Sequence, residues 1–209
     1  MLSRSIAMLY ARIEQRYIEC KGLFFLRVTT TTERRILSAA ADLLEKDGAE
    51  ALTTRAVCQV AGVTAPTLYH HFGDKNGLLS AVVAQGVSTF MARKRAKRQT
   101  ADALADLKRG WDGWIAFALE RPNLFRLMTE STRSDTSANH EAFIIMRATV
   151  ERLETDGRLT TDVDTAARTI WAASNGVLTL FMQWMPAAEI KSSGELLFDA
   201  LMAKLVRPK

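Results

Sequence analysis

The sequence predicts an all-α fold. From Thr32 onward, apolar residues recur every three or four positions, as they do on the buried face of a helix. No segment alternates apolar and polar residues as a half-buried strand would, and no internal repeat is present. Glycine, proline, serine and aspartate cluster between the apolar stretches and mark the turns. About nine helices are expected over the 209 residues.

The ends of the first helices carry recognisable caps. Gly48 and Gly62 can end the first and second helices, and Thr53 or Thr54 can cap the start of the second. Asp74 can cap a long fourth helix. The expected helices span about 32–47, 53–62, 64–72, 74–95, 101–119, 123–130, 138–157, 163–184 and 194–206.

Composition and charge limit the functional classes. Hydrophobic residues make up 48% and charged residues 24% of the chain, as in soluble globular proteins. No apolar run approaches the roughly 18 residues of a membrane-spanning helix. Residues 1–100 carry a net charge of +7 and residues 101–209 a net charge of −2, so we expect only the first part to meet a polyanion. The two cysteines lie far apart and favour a reduced, cytoplasmic setting without a metal or cofactor.

Three regions are expected. Residues 1–30 form an N-terminal extension, residues 31–76 a small helical domain, and residues 77–209 a larger helical domain. Two interpretations of the extension stay open. It can be a basic arm or extra helix that grips DNA, or a disordered or untranslated segment if translation starts later, for example at Val28.

The stretch from Leu52 to Leu79 predicts a helix-turn-helix. Two short helices meet at residues 61–63, where glycine suits a left-handed backbone position. Val57, Val60, Leu68 and Phe72 are expected to supply the apolar contacts. The outward side of the second of these helices presents short or hydrogen-bonding side chains that can approach the floor of a major groove. These side chains are Thr64, Ala65, Thr67, Tyr69, His70 and His71.

This block resembles the DNA-binding domain of the TetR family of repressors. The family pattern AGV-x-x-x-T-L-Y-x-H-F-x-x-K-x-x-L occurs here as Ala61, Gly62, Val63, Thr67, Leu68, Tyr69, His71, Phe72, Lys75 and Leu78. The resemblance covers roughly residues 33–80. It implies a three-helix DNA-binding domain followed by a helical domain that binds a small effector and forms a homodimer.

The resemblance also implies roles for individual residues. Thr54 looks like a phosphate anchor at a helix start, and Tyr69 and His71 look like phosphate and sugar contacts. Lys75 would add a charged phosphate contact, and Arg55 could bind guanine through two hydrogen bonds. The candidates for contacts to base edges or thymine methyl groups are Thr64, Ala65, Pro66, Thr67 and His70.

Each of these assignments has a simpler alternative. Thr53 and Thr54 could serve only as helix caps, and Tyr69 could chiefly pack its ring. His70 and His71 are not expected to bind a metal, because adjacent helical residues point about 100° apart. The basic run at 93–98 lies about 27–30 Å from Lys75 along the fourth helix, so we expect it to be a solvated face.

The C-terminal half is rich in aromatic and sulfur-containing side chains. At helical spacing such residues form a core by default, but in TetR-like proteins this region encloses an effector pocket, and Met and Trp suit an adaptable apolar cavity. His140 and Ser174 are further polar candidates. The candidate ligand-binding residues are Phe90, Met91, Trp111, Trp114, Phe117, Phe125, Met128, Phe143, Arg147, Trp171 and Asn175.

Two helices near the C-terminus are candidates for a dimer interface. The segment 165–184 is apolar around much of its surface, and its small residues permit close helix contact. The resemblance implies a four-helix interface between two subunits, whose two-fold axis would match a palindromic operator. The candidate interface residues are Ala166, Ala173, Gly176, Leu197 and Leu201.

Three functional hypotheses follow. The leading one is a homodimeric repressor that a small apolar or amphipathic ligand releases from a palindromic DNA operator. The alternative is a dimeric DNA-binding protein without an effector, whose aromatic half is plain core; aromatic side chains packed solid, with no cavity above about 300 Å³, would exclude the first hypothesis. An enzyme is not expected, because the sequence has no recognisable nucleophile–base set, metal cluster or phosphate-binding loop.

Overall fold

A computed structural model of the chain describes residues 30–130, 136–182 and 184–208. Within these ranges the regular elements are nine α-helices and one short 3₁₀ helix, Ala49–Ala51, which confirms the expected all-α class. The α-helices are α1 (Thr31–Asp47), α2 (Thr54–Ala61), α3 (Ala65–Phe72), α4 (Lys75–Ala96), α5 (Ala103–Glu120), α6 (Pro122–Glu130), α7 (Thr136–Thr155), α8 (Val163–Phe181) and α9 (Ala187–Leu205).

Helices α1 to α3 form a small unit around a shared apolar centre. Ile36 and Leu44 of α1, Val57 of α2 and Leu68 of α3 are fully buried there. Thr30 caps α1 by accepting a hydrogen bond from the backbone N–H of Glu33 at 3.1 Å. The rest of the expected N-terminal extension, residues 1–29, lies outside the described residues.

Helix α5 lies at the centre of the larger C-terminal part. It packs against α7, α8 and α9, and α8 packs in turn against α7 and α9. Trp111 and Ile115 of α5 are buried between these helices. Helix α4 extends from the small unit to the larger one, since it contacts α1 and α3 as well as α6 and α7.

The expected start of the last helix is wrong. The sequence places it at Gly194, whereas α9 begins at Ala187, directly after Pro186. Gly194 lies inside the helix and is buried. A Cβ at this position would lie 2.5 Å from the Cδ1 atom of Ile115, so the glycine permits close packing of α9 on α5. This glycine therefore reflects a helix–helix contact and not a helix end.

The expected role of Val60 in the small core is also wrong. Its side chain is 57% exposed, because the core-facing side of α2 is centred on Val57 and Ala61. In the described part of the chain, no helix is long and apolar enough to cross a membrane.

Candidate DNA interface and effector cavity

The start of α2 separates the roles of two neighbouring threonines. Thr53 is the cap, since its hydroxyl accepts a hydrogen bond from the backbone N–H of Ala56 at 3.1 Å. The Thr54 hydroxyl lies 3.2 Å from the hydroxyl of Tyr69 on α3. This contact joins the two helices at the surface and brings together two of the candidate phosphate contacts.

The turn between α2 and α3 depends on glycine. Gly62 adopts φ 64° and ψ 43°, in the left-handed region, and its N–H donates to the carbonyl oxygen of Cys58. A side chain is strained in this conformation. The glycine expected at this turn is confirmed.

Helix α3 is anchored on one side and open on the other. Leu68 is fully buried beneath it. Thr64, Pro66, Tyr69 and His70 are exposed, whereas Ala65, Thr67 and His71 are half-buried. The hydroxyls of Thr64 and Thr67 lie 3.0 Å apart, so they form a hydrogen-bonding pair at the start of the helix. All seven candidate contact residues of α3 and its cap therefore reach the surface to some extent.

A tight turn between α3 and α4 places Lys75 beside the end of α3. Asp74 caps α4 by accepting a hydrogen bond from the N–H of Gly77 at 2.7 Å. A Cβ on Gly77 would lie 1.9 Å from the carbonyl oxygen of Phe72, so this turn requires a glycine. Lys75 is exposed in the first turn of α4, and Arg55 is exposed on α2.

A cavity of about 280 Å³ lies between α4, α5, α7 and α8. This volume lies slightly below the threshold of about 300 Å³ and just under the range of about 300–1,000 Å³ for ligand pockets, so it does not by itself favour an effector site over a plain core. Phe90, Trp111, Trp114 and Trp171, all expected to bind a ligand, line it together with Ser174. The rings of Phe90 and Trp114 are 4.9 Å apart. The side chains leave space for a small ligand.

The other expected apolar ligand contacts lie outside the cavity lining. The rings of Phe117 and Phe125 pack against Trp114, with centroids 5.9 Å and 5.2 Å away. Phe143 meets the ring of Trp171 edge-on at 5.7 Å. Met91 is 2% exposed in the core, and Met128 packs against that core. The three phenylalanine rings therefore support the cavity-lining Trp114 and Trp171 from behind.

The expected polar ligand contacts have partners within the protein. Arg147 lies outside the cavity lining and forms ion pairs with Glu151 and Asp164. The side-chain amide of Asn175 donates to the carbonyl oxygen of Trp171 at 2.8 Å. The Ser174 hydroxyl donates to the same oxygen at 3.0 Å. His140 is exposed and absent from the cavity lining.

Basic side chains of the run at 93–98 line one side of the cavity, and all of them except Lys94 are exposed, as expected of a solvated face. Lys94, Arg95, Lys97 and Arg98 from the end of α4 line it, together with Arg109 of α5. The sequence shows the basic run at 93–98, but the position of this run beside the cavity follows from the packing of α4 against α7 and the approach of α5. The ammonium group of Lys94 donates to the carbonyl oxygen of Ala142 at 2.9 Å.

Asp106 organises the charges at this end of the cavity. Its side chain is 7% exposed and accepts hydrogen bonds from Arg152 at 2.7 Å, from the Thr100 N–H at 2.9 Å and from the Thr100 hydroxyl at 2.8 Å. It also pairs with Arg109. Burial raises the pKa of the Asp106 carboxyl, but the hydrogen bonds from Arg152 and Thr100 and the charge of Arg109 outweigh burial and hold this pKa well below its usual range.

One carboxylate links the small unit to the larger domain. Glu45 of α1 accepts hydrogen bonds from the backbone N–H groups of Asn123 at 3.3 Å and Leu124 at 3.0 Å. These N–H groups belong to the first turn of α6, where no helical partner exists for them. Next to this cap, a Cβ on Gly86 of α4 would lie 2.4 Å from Leu124, so α4 and α6 are in close contact.

The candidate dimer residues fall into three groups. Ala166 is fully buried inside its own subunit, so its expected role at a dimer surface is wrong. Ala173, Leu197 and Leu201 are half-buried and pack against the core. Gly176 has open space beside it. Three large apolar residues that were not among the predicted dimer contacts are exposed on α8, α9 and their connection, namely Leu180 (64%), Trp184 (70%) and Leu196 (73%).

The fold and the α2–α3 arrangement define a helix-turn-helix protein with a helical C-terminal domain. The family model described as "Bacterial regulatory proteins, tetR family" matches residues 36–82. A second model, "Tetracyclin repressor-like, C-terminal domain", matches residues 107–205. The chain belongs to the TetR family of bacterial regulatory proteins, as the resemblance implied.

Curated relatives match the DNA-binding part. The HTH-type transcriptional regulator UidR of Escherichia coli K12 is 34% identical over 64 residues, which cover 31% of this chain and 33% of that protein. The class A tetracycline repressor of transposon 1721 from Escherichia coli is 40% identical over 55 residues, 26% of each chain. The matched segment thus spans about a third or less of these relatives.

Solved structures match over most of the chain. A protein of Saccharomonospora viridis in complex with choline has a TM-score of 0.74 at 19% identity, covering 84% of this chain and 97% of that chain. The TetR family regulator PfmR of Thermus thermophilus has a TM-score of 0.62 at 22% identity, covering 79% of this chain and 97% of that chain. At these identities the likeness establishes the shared fold.

Proposed function

We propose that the protein is a homodimeric transcriptional repressor of the cytoplasm that binds a palindromic DNA operator and leaves it when a small, largely apolar or amphipathic ligand binds. The observation that carries this proposal is the exposed hydrogen-bonding side of α3, flanked by the Thr54–Tyr69 hydroxyl pair and by Lys75. Regulation of transcription by relatives such as UidR supports it.

The proposed DNA contacts divide into two kinds. Thr54, Tyr69, His71 and Lys75 contact the sugar–phosphate backbone, where they orient the protein without reading sequence. The residues proposed to read base edges or thymine methyl groups are Arg55, Thr64, Ala65, Pro66, Thr67 and His70. Two subunits related by a two-fold axis would place two α3 helices in successive major grooves, about one helical turn apart or slightly more.

Release of the operator by a ligand requires a connection between the cavity and the DNA-binding unit. Helix α4 carries Lys75 at one end and Phe90 and Lys94 of the cavity near the other. A ligand that shifts α4 would change the separation of the two α3 helices in a dimer. Tighter binding of the ligand to the shifted arrangement by about 1–3 kcal/mol would weaken operator binding roughly 5–150-fold.

The first test separates base contacts from phosphate contacts. We expect His70→Ala or Thr67→Ala to lose about 1–3 kcal/mol at its own base pair, and so to change preference among operator sequences. Lys75→Ala should weaken binding to all sequences equally and lower the salt slope by about one unit, because it removes one phosphate contact. Binding is measured by fluorescence anisotropy on duplexes that the wild-type protein selects from a random library.

Lys46→Ala is the matched control, since Lys46 is an exposed lysine in the last turn of α1 and is not a candidate DNA contact. It should leave both preference and salt slope unchanged. A changed sequence preference in Lys75→Ala together with an unchanged one in His70→Ala would invert the assigned roles. Selection of no sequence by the wild-type protein would contradict the proposed function itself.

The second test concerns the connection through Glu45. We expect Glu45→Ala to lower the free energy of unfolding by about 1–2 kcal/mol, because two N–H groups at the start of α6 lose their charged acceptor. Urea denaturation measures this loss at one fixed protein concentration. Glu50→Ala is the control, because Glu50 is exposed in the 3₁₀ helix. Equal stability of both variants would exclude a contribution of the Glu45 cap.

A further inference from the structure

We propose that the cavity binds a small organic carboxylate, whose apolar body lies against Phe90, Trp114 and Trp171 and whose charged group lies at Lys94. This inference rests on the proposed function, because it names the chemical class of the effector. It goes beyond an apolar or amphipathic ligand by assigning a sign of charge and a partner for it.

The charges around the cavity favour an anion. Five basic side chains line it, and Asp106 is the single carboxylate among the lining residues. Asp106 is already paired with Arg109 and Arg152, and Arg95 is paired with Glu141. Within the described ranges, the remaining cations make no ion pair with a carboxylate; they are Lys94, Lys97 and Arg98.

Lys94 is the best placed of these cations. It is half-buried, whereas Lys97 and Arg98 are exposed at the edge of the cavity. Its ammonium group has three N–H donors, of which one donates to Ala142, itself a lining residue. An anion in the cavity could accept from the other two. A charge-assisted hydrogen bond formed away from bulk water is stronger than one at an exposed lysine.

The charged side chains of the lining are mainly hydrogen-bond donors. The indole N–H of Trp111 lies on the side of α9, where a Cβ on Gly194 would be 3.8 Å from its Nε1 atom, whereas the indole N–H of Trp114 is buried and has no hydrogen-bond partner among the described residues. The acceptor-capable Asp106 is saturated by its four donors. A carboxylate only accepts hydrogen bonds, so it complements this lining better than an amine or an alcohol does.

An organic cation held by the aromatic rings is the main rival. Phe90, Trp114 and Trp171 could attract a quaternary or primary ammonium group through their ring faces, with about 0.5–2 kcal/mol per contact. The basic side chains that line the same cavity would repel it. The low dielectric of a partly enclosed site strengthens this repulsion, so we expect the sign of the charge to decide the ligand class.

The test compares three probes of one shape: 2-naphthoate, 2-naphthamide and 2-naphthylmethylammonium. Isothermal titration calorimetry with the full chain should show at least about tenfold tighter binding of the carboxylate than of either other probe. Lys94→Met, which keeps most of the length and the unbranched shape but loses the charge, should remove this preference. Lys108→Met is the matched control, because Lys108 lies on α5 outside the cavity lining and is paired with Asp112.

A proton balance provides a second readout. Burial and the charge of Lys97 lower the pKa of Lys94 to about 8, although Glu141 raises it, so part of the Lys94 population is neutral near pH 8. The other charged groups around the cavity are Arg95, Arg98, Asp106 and Arg109. Carboxylate binding should then take up a fraction of a proton, measured as a dependence of the binding enthalpy on the buffer. Lys94→Met should show no such uptake.

Loss of binding in Lys94→Met will not reflect misfolding if its melting temperature is at least that of the wild type, as expected when a partly buried charge is removed. Equal or tighter binding of the amide or ammonium probe, no measurable carboxylate binding, or a preference that survives in Lys94→Met would each overturn the inference. Operator release separates the two proposals. Release by the neutral amide alone supports the proposed function and overturns this inference, whereas tight carboxylate binding without release contradicts the proposed function alone.

Discussion

Replacing Leu196 by glutamate should convert the protein to a monomer and lower operator affinity by at least about 100-fold, because one half-site contact then acts without the other. Leu196 is 73% exposed in the subunit and lies on the side of α9 opposite its buried residues Ile190, Phe198 and Met202. A leucine so placed contributes nothing to the subunit core. In the proposed dimer it becomes buried, and a charge there would cost several kcal/mol.

The assembly state is measured by light scattering after size-exclusion chromatography, and affinity on a selected operator duplex. Lys191→Glu is the matched control, since Lys191 is exposed on the same helix but points about 140° away from Leu196. It should remain dimeric. A Leu196→Glu protein that stays dimeric, or a monomer with full operator affinity, would contradict the proposed interface. Leu197 and Leu201 are poorer targets, because they also pack against the subunit core.

The features that could be predicted from sequence are those determined by neighbouring residues. The cap at Thr53, the left-handed glycine at position 62 and the cap at Asp74 each depend on a few consecutive residues, and the structure has all three. The exposed side of α3 could also be predicted locally. In an eight-residue helix, burial of Leu68 on one side leaves the opposite side to face solvent. Local chemistry therefore predicts the DNA-binding part well.

Features that depend on distant packing could not be predicted in this way. Gly194 reads as a helix end until Ile115, on another helix, is known to lie against it. Helical spacing shows that α8 has small residues around much of its surface but not which of them meet its own subunit. Ala166 is buried there, whereas Ala172, which points about 120° away around the helix, is exposed. The basic run of α4 likewise becomes part of a cavity only through the packing of α5, α7 and α8.

A large loss of folding stability is expected when Asp106 is replaced. Asp106→Ala should lower the free energy of unfolding by about 3 kcal/mol, because it leaves a partly buried Arg152 without its carboxylate. The connection between α4 and α5 would also lose its anchor, since Thr100 donates both its N–H and its hydroxyl to Asp106. Urea denaturation at a fixed protein concentration measures the loss. Asp112→Ala, on the same helix, is the control, because its ion pair with Lys108 is exposed and worth about 0.3–0.5 kcal/mol.

The same residue should make stability depend on acid pH. Because the pKa of Asp106 is lower in the folded chain than its usual value of 3.8, the folded state binds fewer protons there than the unfolded state does. Its contribution is therefore fully present above about pH 5 and is lost progressively as the pH falls through 4 and below. Asp106→Asn should flatten this part of the stability profile. Some slope should remain, since hydrogen bonds from Thr165 also lower the pKa of Asp162 at the start of α8. A profile of Asp106→Asn as steep as that of the wild type would show that the Asp106 carboxylate is not the group that makes the fold acid-sensitive.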